Sequence, residues 1–166
     1  MKVLIVYRSR YGATESCARR IASLLGPDVV LRDLRERVPP LSPDEFETIL
    51  IGGSIYGGRI QKEIVSFCER EQDRLAKVRA GLFVCCLFDG ERGMAELNAA
   101  FPAWLIAHAF TRELLGGEVR LDRLSFGDRL LVRSLMRPPR DVSTISGEAI
   151  ERLAAAVSRA GGPSRD

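Results

Sequence analysis

The first side chains able to do chemistry lie in a short polar loop close to the start of the sequence. The segment Arg8–Thr14 carries several hydroxyl groups around its single glycine, Gly12. When a helix opens at the end of such a loop, backbone N–H groups converge on one spot that favours an anion, most often a phosphate. The loop lacks the Gly-Lys-Ser/Thr ending of a Walker A motif and the three glycines of G-x-G-x-x-G. It therefore predicts a different phosphate ligand.

Two elements position this loop. Lys2–Tyr7 is a continuous β-branched and aromatic run, which is typical of a strand buried on both faces of a parallel sheet. After the loop, apolar residues recur at helical spacing until Gly26 and Pro27 end the helix. The loop is thus predicted to join the carboxyl end of a buried strand to the amino end of a helix.

Two further apolar runs end in loops of the same kind. Thr48–Gly52 runs into the flexible segment Gly53–Gly58, and Leu82–Leu87 is followed by Phe88–Gly90. Because the carboxyl ends of parallel strands meet at one edge of a sheet, we expect the three loops to lie side by side.

Strands alternate with helices along the rest of the chain. The remaining predicted elements are an edge strand, a helix between the second and third apolar runs, a helix that kinks or starts anew at Pro102, a last strand interrupted by two glycines, and a closing helix: Val29–Leu34, Ile64–Leu75, Met94–Phe110, Arg112–Val119, and the segment after its N-cap Ser146. This alternation predicts an α/β fold with an open, doubly wound parallel sheet and helices on both faces.

The first loop and its flanking elements resemble the flavodoxin signature. Ile5, Val6, Tyr7, Ser9, Gly12, Thr14 and Ala18 stand at its spacing. The resemblance implies five strands in the order 2-1-3-4-5, with FMN as the cofactor at the switch point between strands one and three. The alternative is that a βα turn rich in serine and glycine serves only as a connector.

The same resemblance assigns three groups of cofactor-binding residues. The ribityl phosphate would be held by hydroxyl groups and backbone amides of the first loop: Ser9, Arg10, Tyr11, Gly12, Ala13 and Thr14. The isoalloxazine ring would be flanked by the second and third loops: Ser54, Ile55, Tyr56, Gly57, Phe88, Asp89 and Gly90. Tyr56 is predicted to stack on the ring, with Phe88 as the second choice and a solvent-facing turn residue as the alternative for Tyr56.

The charge distribution departs from that of flavodoxins, which are acidic electron carriers. Arg8 and Arg10 lie in or beside the first loop, Arg59 follows the second, and the chain has a net charge of +3. Cations near the ring favour a flavin that accepts electrons. The alternative is that these arginines only solvate the surface or pair with the phosphate.

A closer resemblance is to the flavodoxin-type, menaquinone-dependent protoporphyrinogen dehydrogenases of haem biosynthesis. It rests on the opening MKVLIVYRSRYGAT, the second loop Gly53–Gly57, and Gly116–Arg120 leading into the basic, apolar segment Phe126–Met136. It implies an FMN-dependent oxidoreductase that takes hydride equivalents from a porphyrinogen-like substrate and passes them to a quinone, without a catalytic side chain. The alternatives are an electron carrier that serves a protein partner and a domain that has lost FMN.

The segment after the last strand is predicted to be an amphipathic insert, at about residues 117–140. Apolar residues interleave with arginines, so that one face is apolar and another cationic: Phe126, Leu130, Leu131, Leu135 and Met136, against Arg129, Arg133, Arg137 and Arg140. Such a segment (126–140) would lie on an anionic membrane or bind substrate propionates. The alternative is a helix that covers the domain and leaves its arginines in water.

Length and composition limit the remaining possibilities. At 166 residues the chain is predicted to form one domain over residues 1–160, with a flexible tail at 161–166. No apolar run approaches the roughly 18 residues that a membrane span needs, and the sequence opens on a strand, so we expect no signal peptide and a cytoplasmic location with contact at the inner membrane face. We expect no nucleic-acid partner, and the oligomeric state stays open.

The cysteines are predicted to be reduced and mostly buried. Cys17, Cys68, Cys85 and Cys86 lack metal-ligand spacing, and the chain has one histidine, so no metal site is expected. Cys85 and Cys86 are neighbours in a predicted strand and should point to opposite faces.

Overall fold

The computed structural model describes residues 1–37, 39–42 and 44–160. The predicted tail at 161–166 lies outside these residues. Within them, five parallel strands form one sheet in the order β2-β1-β3-β4-β5, which confirms the predicted fold class. The strands are β1 Val3–Arg8, β2 Val29–Asp33, β3 Thr48–Ser54, β4 Arg79–Cys85 and β5 Thr111–Leu114.

The register of the sheet brings the strand ends together. Arg8 at the end of β1 pairs with Gly53 of β3, and Ser54 of β3 pairs with Cys85 of β4. The carboxyl ends of these three central strands therefore form one edge, as the three loop sequences predicted.

Seven helices connect or cover the strands in the described residues. They are α1 Ala13–Leu25, α2 Lys62–Arg70, α3 Gln72–Leu75, α4 Gly90–Ala100, α5 Ala103–His108, α6 Phe126–Leu135 and α7 Gly147–Ala160. The predicted restart at Pro102 is confirmed, because Pro102 is the N-cap of α5. Ser146 caps α7 as predicted, since its Oγ accepts a hydrogen bond from Ala149 N at 3.1 Å.

The core has two layers because successive side chains of a buried strand point to opposite faces. Leu4 and Val6 of β1 belong to one apolar cluster, and Ile5 and Tyr7 belong to the other, which α1 and α7 cover. Cys85 lies in the second cluster and its neighbour Cys86 in the first, so the predicted opposite orientation is confirmed. The sheet is thus a rigid platform whose polar loops emerge at one edge.

The predicted interruption of the last strand, Arg112–Val119, at its two glycines is confirmed. The strand β5 ends at Leu114, and Gly116 adopts a φ of 81°, where a Cβ would lie 1.9 Å from the Thr144 carbonyl oxygen. This left-handed turn breaks the parallel pairing. The chain then forms a two-stranded antiparallel ribbon of β6 Glu118–Val119 and β7 Val142–Ser143, which closes the base of the insert.

The prediction that apolar and cationic residues occupy separate faces of the insert is wrong. Phe126 is 81% exposed and Leu130 is 50% exposed, and helical geometry places both on the outward side of α6 with Arg129 and Arg133. Val132 is instead buried against the domain. The apolar residues are therefore divided between an inward face and a mixed outward face. None of the described helices has the length and apolar content needed to cross a membrane.

Candidate functional site

The first loop is held in place by one of its own hydroxyl groups. Ser9 is buried, and its Oγ accepts a hydrogen bond from Gly12 N at 2.9 Å. Gly12 has a φ of 100° and is the N-cap of α1. The Ser9 hydroxyl therefore fixes the turn from β1 into α1.

The start of α1 leaves backbone N–H groups without side-chain partners. The first N–H groups of any helix lack intrahelical partners, and the N-cap Gly12 has no side chain that could accept from them. Thr14 is fully buried in the first turn, and its Oγ1 has no hydrogen-bond partner in the described residues. A buried donor without a partner is costly, and a phosphate bound at this helix end would satisfy both the hydroxyl and the amides.

The second loop is a tight hairpin. Tyr56 and Arg59 exchange backbone hydrogen bonds of 3.0 and 3.1 Å across Gly57 and Gly58, whose φ values are 57° and 71°. Two successive left-handed residues are what a two-residue type I′ turn demands, and glycine supplies them without strain. The hairpin therefore fixes the direction of the Tyr56 side chain.

Ser54 is anchored to the start of α2. Its backbone N donates to Gln61 Oε1 at 3.1 Å, and Gln61 Nε2 donates to the Ser54 hydroxyl. This pair of bonds ties the end of β3 to the residue that precedes α2, so the second loop is fixed at both its ends.

In the third loop, Phe88 belongs to the site, whereas the two residues after it lie at the surface. The Arg92 guanidinium lies 3.3 Å from the centroid of the Phe88 ring. Asp89 and Gly90 are exposed at the start of α4 and do not line the cavity described next.

A cavity of about 160 Å³ lies between the three loops. One water molecule needs roughly 10–15 Å³, so the cavity has room for a larger organic group. Six of the residues predicted to bind the cofactor line it: Ala13, Ser54, Ile55, Tyr56, Gly57 and Phe88. The other seven do not: Ser9, Arg10, Tyr11, Gly12, Thr14, Asp89 and Gly90.

Sequence reasoning missed most of the residues of the cavity wall. The missed residues come from the end of β4, from α4, from β6 and from the insert: Cys85, Cys86, Leu87, Arg92, Glu96, Gly117, Glu118, Val119, Leu131, Val132 and Leu135. The position of Cys85 and Cys86 at a strand end was a usable signal for two of them. The insert residues gave no signal of their own, because nothing in their spacing indicates which face meets the loops.

The helix α6 roofs the cavity and is fastened to the first loop. Asp128, in its first turn, accepts a hydrogen bond from the Tyr11 hydroxyl and forms an ion pair with Arg10, whose Nη2 lies 2.7 Å from the carboxylate. Ser125 N donates back to the Tyr11 oxygen at 3.0 Å. Arg10 and Tyr11, predicted to bind the phosphate, thus hold the insert over the site in this structure.

Tyr56 stands between aromatic and cationic neighbours. Its ring meets the Tyr11 ring edge to face at a centroid distance of 5.5 Å, and the Arg10 guanidinium lies 5.5 Å from its centroid. Burial, reinforced by Tyr11 and Asp128, raises the pKa of Tyr56 to about 12. The phenol is therefore neutral at physiological pH and acts as a wall of the site.

Two thiols lie behind the first loop. Cys85 Sγ donates to Cys17 Sγ at 3.8 Å, and both residues are buried. The contact with Cys17 and burial together raise the pKa of the Cys85 thiol well above its ordinary value. The cavity wall at the end of β4 is consequently uncharged.

The residues present fit the chemistry of FMN. The free amides of α1 and the unpartnered Thr14 hydroxyl match a phosphate, and Ala13 places that helix end at the margin of the cavity. The cavity itself is lined by mainly apolar and aromatic groups, which suit a flat aromatic ring. Phosphate-binding and ring-binding features therefore adjoin one another.

Comparisons with known proteins agree with this geometry. Residues 4–144 match the family model described as flavodoxin domain. No curated protein matches the sequence. Oxidised flavodoxin 1 from Bacillus cereus aligns with 99% of this chain and 100% of its own at 16% identity, with a TM-score of 0.59.

Two other solved structures share the fold. The flavodoxin of Streptococcus pneumoniae TIGR4 aligns with 96% of this chain and 99% of its own at 16% identity, with a TM-score of 0.54. Rubredoxin oxygen:oxidoreductase from Desulfovibrio gigas aligns with 95% of this chain at 16% identity and a TM-score of 0.53. This chain spans only 37% of that enzyme's length, so the likeness concerns the fold of one part of it.

Proposed function

Since the chain belongs to the flavodoxin domain family, whose cofactor is FMN, we propose that it is an FMN-dependent oxidoreductase acting on a small molecule. Its substrate would be a porphyrinogen-type tetrapyrrole such as protoporphyrinogen IX, and its electron acceptor a quinone. When bound, FMN supplies the hydride and electron transfer.

The protein's own residues would bind and enclose the cofactor. The first turn of α1 with the Thr14 hydroxyl would hold the phosphate, and the hairpin that begins at Tyr56 would hold one side of the ring. No titratable side chain of the cavity is needed as an acid or base, because the flavin carries the chemistry. The neutral Tyr56 and Cys85 would keep their part of the cavity wall uncharged.

The observation that carries the proposal is the roof formed by α6. Leu131 and Leu135 line the cavity, and a Cβ on Gly57 would lie 3.7 Å from Leu131 Cδ2, so the insert reaches across to the second loop. A small-molecule substrate benefits from an enclosed apolar wall that excludes water. A protein that only exchanges electrons with another protein has no need of such a roof.

The substrate and the acceptor follow from the resemblance to the menaquinone-dependent protoporphyrinogen dehydrogenases. The outward side of α6 supports a membrane-borne acceptor, because Phe126 and Leu130 are exposed beside Arg129 and Arg133. Exposed apolar side chains ringed by cations suit the surface of an anionic membrane. The protein would then be cytoplasmic and peripheral at the inner membrane face.

Anaerobic turnover tests this function. Protein loaded with FMN is incubated with protoporphyrinogen IX and menaquinone, and porphyrin fluorescence is followed. We expect formation of porphyrin that depends on both protein and quinone. A rate of porphyrin formation no higher than that of spontaneous oxidation would rule out the proposed enzymatic activity.

A matched pair of variants tests the role of the roof. Leu131→Asp should lower turnover at least tenfold at saturating FMN, because it places a charge in the apolar wall of the cavity. Leu24→Asp, on the exposed side of α1, is the control and should keep the activity. Equal activities of the two variants would argue against the enclosed site.

Membrane contact is tested by sedimentation with vesicles. The protein should sediment with vesicles of phosphatidylglycerol and stay in solution with phosphatidylcholine. Phe126→Ser combined with Leu130→Ser should abolish sedimentation. Binding that survives this double substitution would assign membrane contact to another surface.

A flavodoxin-like electron carrier for a protein partner is the second candidate function. The same outward patch of Phe126 and Leu130 favours it, because exposed apolar residues also mark protein-binding surfaces. A protein that binds FMN, fails to oxidise the porphyrinogen and reduces or oxidises a redox protein would support the carrier.

A further inference from the structure

A second cavity of about 500 Å³ lies on the other side of the second loop. Small-molecule sites typically measure about 300–1,000 Å³. The walls of this cleft are mostly polar and carry a concentration of positive charge that the FMN site does not use. Its basic members are Arg8, Arg10, Arg59 and Lys62.

The carboxylates near this basic cleft neutralise only part of the charge. Glu63 lies 3.5 Å from Arg8 Nε, and Asp128 lies 2.7 Å from Arg10 Nη2. In the part of the chain that the structure describes, Arg59 and Lys62 have no carboxylate within 4.0 Å. Four cations thus face two carboxylates, and two positive charges remain, which matches a dianion.

The cations are mounted on fixed backbone. Arg59 closes the hairpin with Tyr56, and Arg8 is the last residue of β1, where its guanidinium donates to the Ser9 carbonyl oxygen. Lys62 is the first residue of α2, whose N-cap Gln61 makes no side-chain capping bond. The free N–H groups of that nine-residue helix add a partial positive charge at the same place.

The basic cleft adjoins the FMN cavity and is separate from its phosphate end. Tyr56 lines both cavities, whereas neither Ala13 nor Thr14 of α1 lines the cleft. An anion held there would be separated from the flavin cavity by the Tyr56 side chain. A molecule that extends past the Tyr56 side chain would have its anionic end in the cleft and its reactive end at the cavity.

We propose that the basic cleft binds a dianionic group, two carboxylates or a diphosphate, of the small molecule that exchanges electrons with the flavin. Arg59 and Lys62 are its main ligands, and Arg8 and Arg10 complete the wall. This assignment rests on the proposed function only in making the ligand a redox partner of the flavin. The affinity of the cleft for anions can be measured without turnover.

Calorimetric titration at low ionic strength tests the site. The full chain loaded with FMN is used, so that the phosphate end of the flavin site is filled, and the probes are inorganic pyrophosphate and succinate. We expect saturable binding at one site per chain. Inorganic pyrophosphate carries a higher negative charge than succinate at neutral pH, so only tighter binding of succinate would identify the group, as a pair of carboxylates. Saturable binding of either probe supports the site.

Charge-matched variants locate the binding. Arg59→Gln and Lys62→Gln should each lower the affinity for the probe by about tenfold, because each removes a charge-assisted hydrogen bond. Arg152→Gln is the control: it removes the same charge from an exposed position on α7 and should leave the affinity unchanged. Circular dichroism and retained FMN verify folding of each variant.

Two results would overturn the proposal: the absence of saturable binding by the wild-type protein, or an equal loss of affinity in all three variants, which would reflect net charge alone. Anion binding that persists in a protein inactive toward protoporphyrinogen IX would reject the proposed substrate and leave the basic cleft intact. Porphyrinogen turnover by a protein that binds neither anion would reject the basic cleft and leave the proposed substrate intact.

Discussion

Individual side chains of the site and the core affect binding and stability through an unsatisfied hydrogen bond or a suppressed charge. The Thr14 hydroxyl is buried without a partner in the described residues, which costs stability in the free protein and is recovered when an anion binds. Burial raises the pKa of Cys68 to about 12 and of Cys86 to about 11. A substitution of Thr14 tests the first effect, and the pH dependence of stability tests the second.

The Thr14 hydroxyl should strengthen FMN binding and lower the stability of the FMN-free protein. In Thr14→Val, an isosteric apolar group replaces the hydroxyl, so we expect free-protein stability to be unchanged or higher and FMN affinity to fall about tenfold or more. Urea unfolding and quenching of FMN fluorescence measure the two quantities. Thr111→Val on β5 is the control, and equal FMN affinities of the two variants would remove Thr14 from the phosphate site.

The buried thiols should make the fold sensitive to alkali. An unfolded cysteine has a pKa of about 8.5. Above that pH the unfolded chain loses protons that Cys68 and Cys86 retain in the folded state, so stability present below pH 8.5 is lost as the pH rises toward 11–12. We expect a loss of about 1 kcal/mol for each thiol between pH 7.5 and 9.5, measured by urea unfolding. Cys68→Ala should show a shallower pH dependence; an identical slope would contradict the assignment.

At the scale of elements, the insert and the first loop form one unit. The helix α6 has few apolar residues directed at the domain, and Val132 is its only apolar residue with less than a tenth of its surface exposed in the described structure. Its position over the cavity therefore depends strongly on the polar junction of Asp128 with Arg10 and Tyr11. The same junction holds Arg10 at the margin between the FMN cavity and the basic cleft.

Removal of the Asp128 carboxylate should release the roof without unfolding the domain. In Asp128→Ala we expect amide hydrogen exchange over residues 129–135 to accelerate at least tenfold, because hydrogen bonds to a charged group are lost. Asp122→Ala, in the preceding 3₁₀ turn Leu121–Arg123, is the control and lies in an exposed position. Unchanged exchange in α6 of the Asp128 variant would mean that apolar packing alone holds the insert.

At the scale of the whole molecule, the close packing of the sheet fixes the geometry of the loop edge. Gly52 of β3 lies beside Phe83 of β4, and a Cβ at Gly52 would stand 2.0 Å from Phe83 Cζ. Phe83 is fully buried, so its ring has no free space into which it can move. The Phe83 ring can therefore pack against β3 at this point only because Gly52 has no side chain.

Gly52→Ala should destabilise the entire domain by about 1–3 kcal/mol, the usual cost of overpacking a core. Gly127→Ala is the matched control, because no heavy atom lies within 4 Å of a Cβ there and the residue is inside α6. It should be neutral or gain about 0.5–1 kcal/mol from helix propensity. Urea unfolding compares the two, and equal stabilities would contradict the packing of Phe83 on Gly52.

The sequence by itself determined the sheet and the edge at which the site lies. Strand and helix periods, and the polar loops after Tyr7, Gly52 and Leu87, are local properties, and the parallel alternation leaves few topologies. The resemblance of the first loop to the flavodoxin signature then implied the strand order that the structure has.

Only the tertiary structure decided how the insert meets that edge. Tyr11 and Asp128 are separated by 117 positions, and no local pattern links them. The sequence likewise left open which apolar residues of α6 face the cavity, and that Arg8 and Arg10 gather with Arg59 and Lys62 in a separate cleft. Helical periodicity identifies the faces of a helix but not its partner, because the partner is chosen by contacts between distant segments once the sheet has formed.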